Sequence, residues 1–341
     1  MDILPTIWFF AVGLLWIGYL LLEGFDLGVG MHLLVRGRTE SRKRLLLNTI
    51  GPVWDGNEVW LITAGAATFA AFPLWYASLF STLYIPLTFV LLGLIFRAVS
   101  IEYRGKVHTD RARRMTDLGL GLGSFVAAFG VGAMLALTTT GLPIDANGDR
   151  VGGPLAWFTW QAVLGGAAVV GFCWVHAAAF LALKTDGPVR ERSRRIVVVW
   201  GPAALLPIAA WVLLVQFSTG GLLSWALTAV AVVAAVAGWM SARAGREGRA
   251  FAGLALFLTA GAAALFAAVY PVVLPSTLDG AFDLTVGNAA SGEYTLGVMS
   301  VVAAFGLPLV LVYQGWTYWV FRRRLAEHHI PEAHPVRAAA R

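Results

Sequence analysis

Charge is what this sequence has least of. Only 13% of its 341 residues are Asp, Glu, Lys or Arg, against roughly 25% in a soluble domain. With 58% apolar residues and a mean hydropathy of +0.74, there is too little polar surface to cover a globule of this length. That excludes an ordinary soluble protein and leaves the bilayer as the solvent. Cysteine is nearly missing. Cys173 stands alone inside an apolar run, so no intrachain disulfide framework and no cysteine-rich metal site can form. Histidine is scarce, with six in all. His108, His328, His329 and His334 fall in polar segments, and no Cys/His cluster has metal-site spacing. His32 and His176 lie in apolar runs, one near a run end and one nearer a run centre, so each reads as a hydrogen-bonded packing residue rather than a haem ligand. The start of the chain has Asp2 and no basic stretch, so the first apolar run reads as a retained helix rather than a cleaved signal.

What the chain has in abundance is long apolar runs. A spanning helix needs about 20 such residues, because the hydrocarbon core is about 30 Å thick and each residue rises about 1.5 Å. Nine runs qualify, at 7–34, 49–72, 76–99, 115–139, 156–183, 196–217, 222–240, 251–274 and 295–321. The net charge of +6 does not point to nucleic acid, because the basic residues sit in short clusters between runs. Of the 25 Lys and Arg, 24 fall at or after the ends of the odd-numbered runs, and only Arg150 lies in the other set of loops. The positive-inside rule then places the N-terminus outside and the C-terminus in the cytoplasm. The expected fold is all-α: a polytopic membrane protein with nine transmembrane helices. Gly51-Pro52 and Gly201-Pro202 lie 150 residues apart, each after a basic segment. They suggest two related four-helix bundles, 7–139 and 156–274, plus one peripheral helix at 295–321 and a cytoplasmic tail at 322–341, all in one membrane domain. The loops Thr140–Leu155 and Pro275–Tyr294 are too short to be domains.

Four acids interrupt the apolar runs: Glu23, Asp26, Asp55 and Glu58. Ionisable groups within a membrane are costly and are functional candidates for that reason. Each pair is spaced by three residues and so shares a helix face. Counted along continuous helices from Arg36 and Arg44, Asp26 and Asp55 lie roughly 15–17 Å from the basic rim, with Glu23 and Glu58 at about 20 Å. Such a cluster can relay protons. It can equally be helix–helix glue, with Asn57, Trp54 and Thr63 as partners. Asp55, with the most polar neighbourhood, is the foremost proton-path candidate.

The stretch EGFDLGVG at 23–30, followed by GPVWDGNEVWLITAGAATFAAFP at 51–73, resembles subunit II of the cytochrome bd ubiquinol oxidases. FRAVSIEYRGK at 96–106, YPVVLPS at 270–276 and YQGWTYW at 313–319 extend the resemblance over nearly the whole chain, with the middle third similar in pattern only. The resemblance implies a bacterial plasma-membrane complex that oxidises quinol from the quinol pool and reduces dioxygen to water. It implies that subunit I carries the haems b and d, that this subunit binds no haem or metal and has no catalytic residue of its own, and that small single-helix accessory subunits can join. A bound quinone occurs in subunit II of some members. The aspartate of WDGN, Asp55 here, belongs in the family to a proton path from the cytoplasm. Glu23 stands where the family also has aspartate. Two other readings fit the runs: a secondary transporter with midplane acids, and a subunit of the related cyanide-insensitive oxidases, which these motifs do not separate.

Overall fold

The computed structural model describes residues 3–330. Asp2 and the tail from 331 onward, with His334, lie outside the described residues. The chain is almost entirely helical: α1 (Ile3–Arg36), α2 (Glu40–Ile50), α3 (Trp54–Ala71), α4 (Pro73–Thr82), α5 (Tyr84–Tyr103), α6 (Asp110–Thr140), α7 (Trp160–Lys184), α8 (Pro188–Val199), α9 (Gly201–Ala204), α10 (Leu206–Thr219), α11 (Leu222–Arg243), α12 (Glu247–Val269), α13 (Val286–Ala289) and α14 (Glu293–Val320). Seven of the described helices, α1, α5, α6, α7, α11, α12 and α14, are long and apolar enough to cross a membrane. The helix α3 has 18 residues but a polar first turn. The helix α10, apolar throughout, has only 14 residues.

Proline explains why four of the apolar runs are not single helices. The second run breaks at Gly51–Val53 into α2 and α3, around Pro52. The third splits at Leu83, three residues before Pro86, whose missing N–H cannot bond to Thr82. The sixth passes through α8, the single turn α9 and α10, with Pro202 and Pro207 each in a first turn. The eighth ends at Val269, just before Pro271, and its last residues form strand β1 (Val272–Leu274). Thus Gly51-Pro52 and Gly201-Pro202 mark joints between a basic helix and an apolar one.

The helix α1 is the axis of the molecule. It packs against α3, α6, α7 and α12, while α7 packs against α6, α8, α10 and α12, and the hairpin-like pairs α5–α6 and α11–α12 flank them. The approach of α1 to α7 depends on Gly28, where a Cβ would collide with the Cys173 carbonyl oxygen. Such close backbone contact is how membrane helices gain packing without a hydrophobic drive between them. The last long helix, α14, stands apart. Only Leu296 of its 28 residues is buried.

The two ends of the bundle differ. At one end, β1 pairs antiparallel with β2 (Leu284–Thr285), and the two loops read as separate in sequence pack together. Leu142 N–H donates to Pro275 O (3.0 Å), and Thr277 N–H donates to Leu142 O (2.9 Å). Gly141, at φ +99°, supplies the turn that starts this contact. At the other, basic end, short ion pairs knit the helix ends. Arg104 forks onto Glu40 (2.8 and 2.9 Å) and also binds Asp117, which accepts from Lys43 (2.7 Å). Arg190 binds Glu247 (2.9 Å), and Arg324 binds Asp186 (3.0 Å). Residues after α14 return along the α7–α8 joint: Leu325 N–H donates to Lys184 O (2.9 Å) and Asp186 N–H to Leu325 O (3.0 Å).

Candidate functional site

Arg97 organises the polar centre. It lies in α5, six residues before that helix ends at Tyr103, and is fully buried. Its guanidinium meets Glu23 of α1 at 2.7 Å and donates to Glu58 of α3 at 3.0 Å. The face of the Trp54 ring lies 5.9 Å away. The Glu23 contact is ionic only, since neither Glu23 oxygen accepts a well-aligned hydrogen bond. Glu23 and Arg97 are sealed from solvent, whereas the Glu58 side chain is 19% exposed. The small residues around Arg97 explain how it fits. A Cβ at Gly123 of α6 would collide with the Gly93 carbonyl, so α5 and α6 approach closely beside Arg97.

Asp26 sits one turn along α1 from Glu23, also fully buried. Its Oδ2 accepts from Asn57 Nδ2 at 2.6 Å. Asn57 is a hub: its Oδ1 accepts from Gln314 Nε2 and from Tyr318 O–H, both at 2.8 Å. Gln314 in turn accepts from Trp60 Nε1 at 3.3 Å. The network therefore joins α1, α3, α5 and α14. One guanidinium faces three carboxylates, and every donor that reaches Asn57 Oδ1 comes from the outermost helix.

Of the four acids expected to act together, the structure gathers three. Glu23, Asp26 and Glu58 belong to the centre, whereas Asp55 makes no ion pair or hydrogen bond with it and acts on Glu58 only through its charge. Asp55 lies in the first turn of α3 with its side chain exposed. The depth assigned to it by counting from Arg44 assumed one continuous helix, and the break at Gly51–Val53 removes that assumption. Two members, Gln314 and Tyr318, lie in the YQGWTYW stretch that carries the resemblance but are not among the candidate site residues of the sequence. Arg97 was counted there as a rim cation. The signal that could have found it is the six further helical residues before the chain turns.

The two membrane histidines make reciprocal contacts. His32 Nε2, on α1, meets the Trp174 carbonyl of α7 at 2.9 Å, and the imidazole stacks on that indole at 3.9 Å. His176 Nε2, on α7, meets the Leu21 carbonyl of α1 at 3.0 Å, between Phe172 and Phe251. A carbonyl only accepts, so each Nε2 carries the proton and donates. Among the described residues no group of three His, Cys, Asp or Glu is arranged to hold a metal ion. Near these helices an apolar cavity of about 30 Å³ is lined by Trp16, Phe172, Trp211 and Phe266, among others.

Comparison with known proteins covers most of the chain. The family model described as cytochrome bd terminal oxidase subunit II matches residues 4–321. Cytochrome bd ubiquinol oxidase subunit 2 of Bacillus subtilis (strain 168) is 37% identical over 333 residues, covering 96% of this chain and 98% of that one. Cytochrome bd-I ubiquinol oxidase subunit 2 of Escherichia coli (strain K12) is 32% identical over 368 residues, covering 96% and 97%. In fold, a chain of the bd oxidase from Geobacillus thermodenitrificans superposes with a TM-score of 0.74 at 18% identity, over 94% of this chain and 99% of that one. The chain, a multi-pass membrane protein, belongs to the cytochrome bd terminal oxidase subunit II family.

Proposed function

We propose that this chain is the haem-free subunit of a quinol:oxygen oxidoreductase complex, that it supports assembly of a haem-bearing subunit I, and that it takes part in proton uptake from the cytoplasm. The family and the names of its relatives support the complex and its reaction. The observation that carries the proton role is the graded burial of the four acids. Asp55 is exposed, Glu58 is partly exposed, and Glu23 and Asp26 are sealed. Three carboxylates against one arginine would bury excess negative charge at high cost, so the centre holds a proton that it can pass on. On this reading subunit I covers the α3 face that bears Asp55, and protons enter between the two chains. The histidines support the haem-free reading, because each has its Nε2 committed to a backbone carbonyl. The helices α3 and α10 complete nine crossings, with the basic end in the cytoplasm of a bacterial plasma membrane. On this reading α1 to α6 and α7 to α12 form two related four-helix bundles that meet where α7 packs on α1 and α6, with α14 outside.

The test is Asp55→Asn in the purified complex. Asparagine keeps size and hydrogen bonding but has no titratable proton. Quinol-dependent oxygen consumption should fall on the order of tenfold or more, with assembly and haem spectra near those of the wild type. Unchanged turnover across pH would make Asp55 a structural residue and remove the proton role.

A further inference from the structure

A basic pocket on the far half of the molecule takes no part in the polar centre. It lies between α8 and α11, has a volume of about 350 Å³, and is lined by Glu191, Arg194, Arg195, Val198, Ala242 and Arg243. The two helices are fastened there. Trp239 Nε1 donates to the Val198 carbonyl at 2.9 Å, and the Arg243 guanidinium lies over the Trp239 ring, 4.8 Å from its centroid. Nearby basic residues are spent on carboxylates: Arg190 holds Glu247, and Arg324 holds Asp186. Among the described residues Arg194, Arg195 and Arg243 have no carboxylate partner, and Glu191 has no cation within ion-pair distance. Three guanidiniums against one carboxylate leave the pocket strongly cationic.

The surroundings say what kind of anion belongs there. Arg195 and Val199 are one turn apart on α8, and Val236, Met240 and Arg243 recur at helical spacing on α11. Val199, Trp200, Val236 and Met240 are all exposed, Trp200 and Met240 at 59% each. Each helix thus passes, along one face, from arginine to bare apolar surface. The change falls at the basic end of the bundle, where the chain leaves the membrane. A free phosphate would use the arginines and leave the apolar track uncovered. A diacyl phospholipid uses both, because its phosphate lies on the guanidiniums and its chains lie along Val236 and Met240. We propose that the α8–α11 pocket is a binding site for the phosphate headgroup of an anionic phospholipid in the leaflet at the basic end of the bundle. Arg194, Arg195 and Arg243 hold the phosphate, and Glu191 limits the affinity by like charge.

The experiment is native mass spectrometry of the intact purified protein, with its co-purifying partners, titrated in detergent with dioleoyl phosphatidylglycerol. Dioleoyl phosphatidylcholine and inorganic phosphate are the comparison probes. Phosphatidylglycerol should bind, phosphatidylcholine should bind weakly, and inorganic phosphate should fail to compete at equal concentration. Each arginine changed to glutamine should weaken the lipid about fivefold, since a basic side chain near an anionic surface is worth ~1 kcal/mol. A control carrying R38Q, R111Q and R114Q, which removes more charge than any single variant but elsewhere on the basic end, should bind as the wild type does. E191Q should tighten binding, a gain that misfolding cannot imitate. Equal binding by R195Q and R243Q, or by phosphatidylcholine, would overturn the site. Competition by inorganic phosphate at equal concentration would make it a free-phosphate site, and weaker binding by E191Q would point to a zwitterionic headgroup whose ammonium pairs with Glu191. Either result overturns the anionic-lipid assignment.

Discussion

At the scale of single residues, Arg97 is the one on which the rest depends. Its charge is buried with Glu23, and neither has water to fall back on. Removing one partner of such a pair leaves an uncompensated buried charge, at a cost of about 3–5 kcal/mol. Arg97→Met should therefore lower the thermal stability of the solubilised protein by about that much. The double variant Arg97→Met with Glu23→Leu should recover part of the loss, because replacing both members of a pair by apolar groups is close to neutral, while Glu58 still lacks its Arg97 partner. Thermal unfolding of the single and double variants is the check, and a double variant no better than the single one would mean that Glu23 is not the partner that matters. The acids of this centre were legible in the sequence because an isolated carboxylate in an apolar run stands out. Arg97 was not, because an arginine near the end of such a run looks like every other rim cation. Gln314 and Tyr318 were not, because neutral polar side chains scarcely disturb hydropathy, and only folding brings them to Asn57.

At the scale of elements, the basic helices α2 and α8 are what the apolar runs concealed. Both are amphipathic, each precedes a Gly-Pro joint, and each is pinned by ion pairs to the start of a later helix. The sixth run, from 196, takes in the end of α8, and the second, from 49, takes in the end of α2, next to the apolar Leu45, Leu46 and Ile50 of that helix. Those residues are buried under α2 in a separate small core with Leu33 and Phe25, not turned toward lipid. The attachment of α2 has a measurable pH signature. Burial alone would raise the Glu40 carboxyl, but hydrogen bonds from Arg104, and its charge, outweigh burial and hold it below the ordinary carboxylate range. A carboxyl depressed in the folded state adds stability that is fully present above its unfolded value, ~4.3. That stability is lost as pH falls through the folded value. Melting temperatures followed from about pH 5 down to about pH 2 should therefore drop less in Glu40→Gln than in the wild type, with the two converging at the acid end. Parallel curves would show that the Arg104–Glu40 fork contributes nothing.

For the molecule as a whole, the sequence was most informative about what repeats and least about what breaks. The expected topology rests on the alternation of basic and acidic loops, because loop charge depends only on which loop a residue occupies and tolerates errors of several residues in helix ends. The helix breaks depend on where one missing N–H falls, and a hydropathy window averages over it. A reporter fused after Ile330 tests the topology directly. It should be active in its cytoplasmic form and silent in its periplasmic form, and the reverse would mean that the count of crossings is even. The 150-residue offset between the two Gly-Pro joints also carries Glu23 onto Cys173 and Asp26 onto His176. If the halves are related as proposed, one kept a charged centre, while its counterpart holds a thiol and an imidazole walled in by Phe172 and Phe251.

The position of α14 bears on how the protein is made. Ribosomes deliver α1, α3 and α5 long before Gln314 and Tyr318 exist. During that interval the carbonyl oxygen of Asn57 lacks both donors that it has in the finished fold, and the first half of the chain waits in the membrane with a polar side that nothing covers. The last of the described membrane-crossing helices to be synthesised is thus the one that closes the first polar site to be inserted. An insertion machine that releases helices sideways in order of synthesis must leave α1 and α3 free to recapture a latecomer, so α14 belongs where it is found, on the outside of the bundle, where it can dock without any earlier helix having to move.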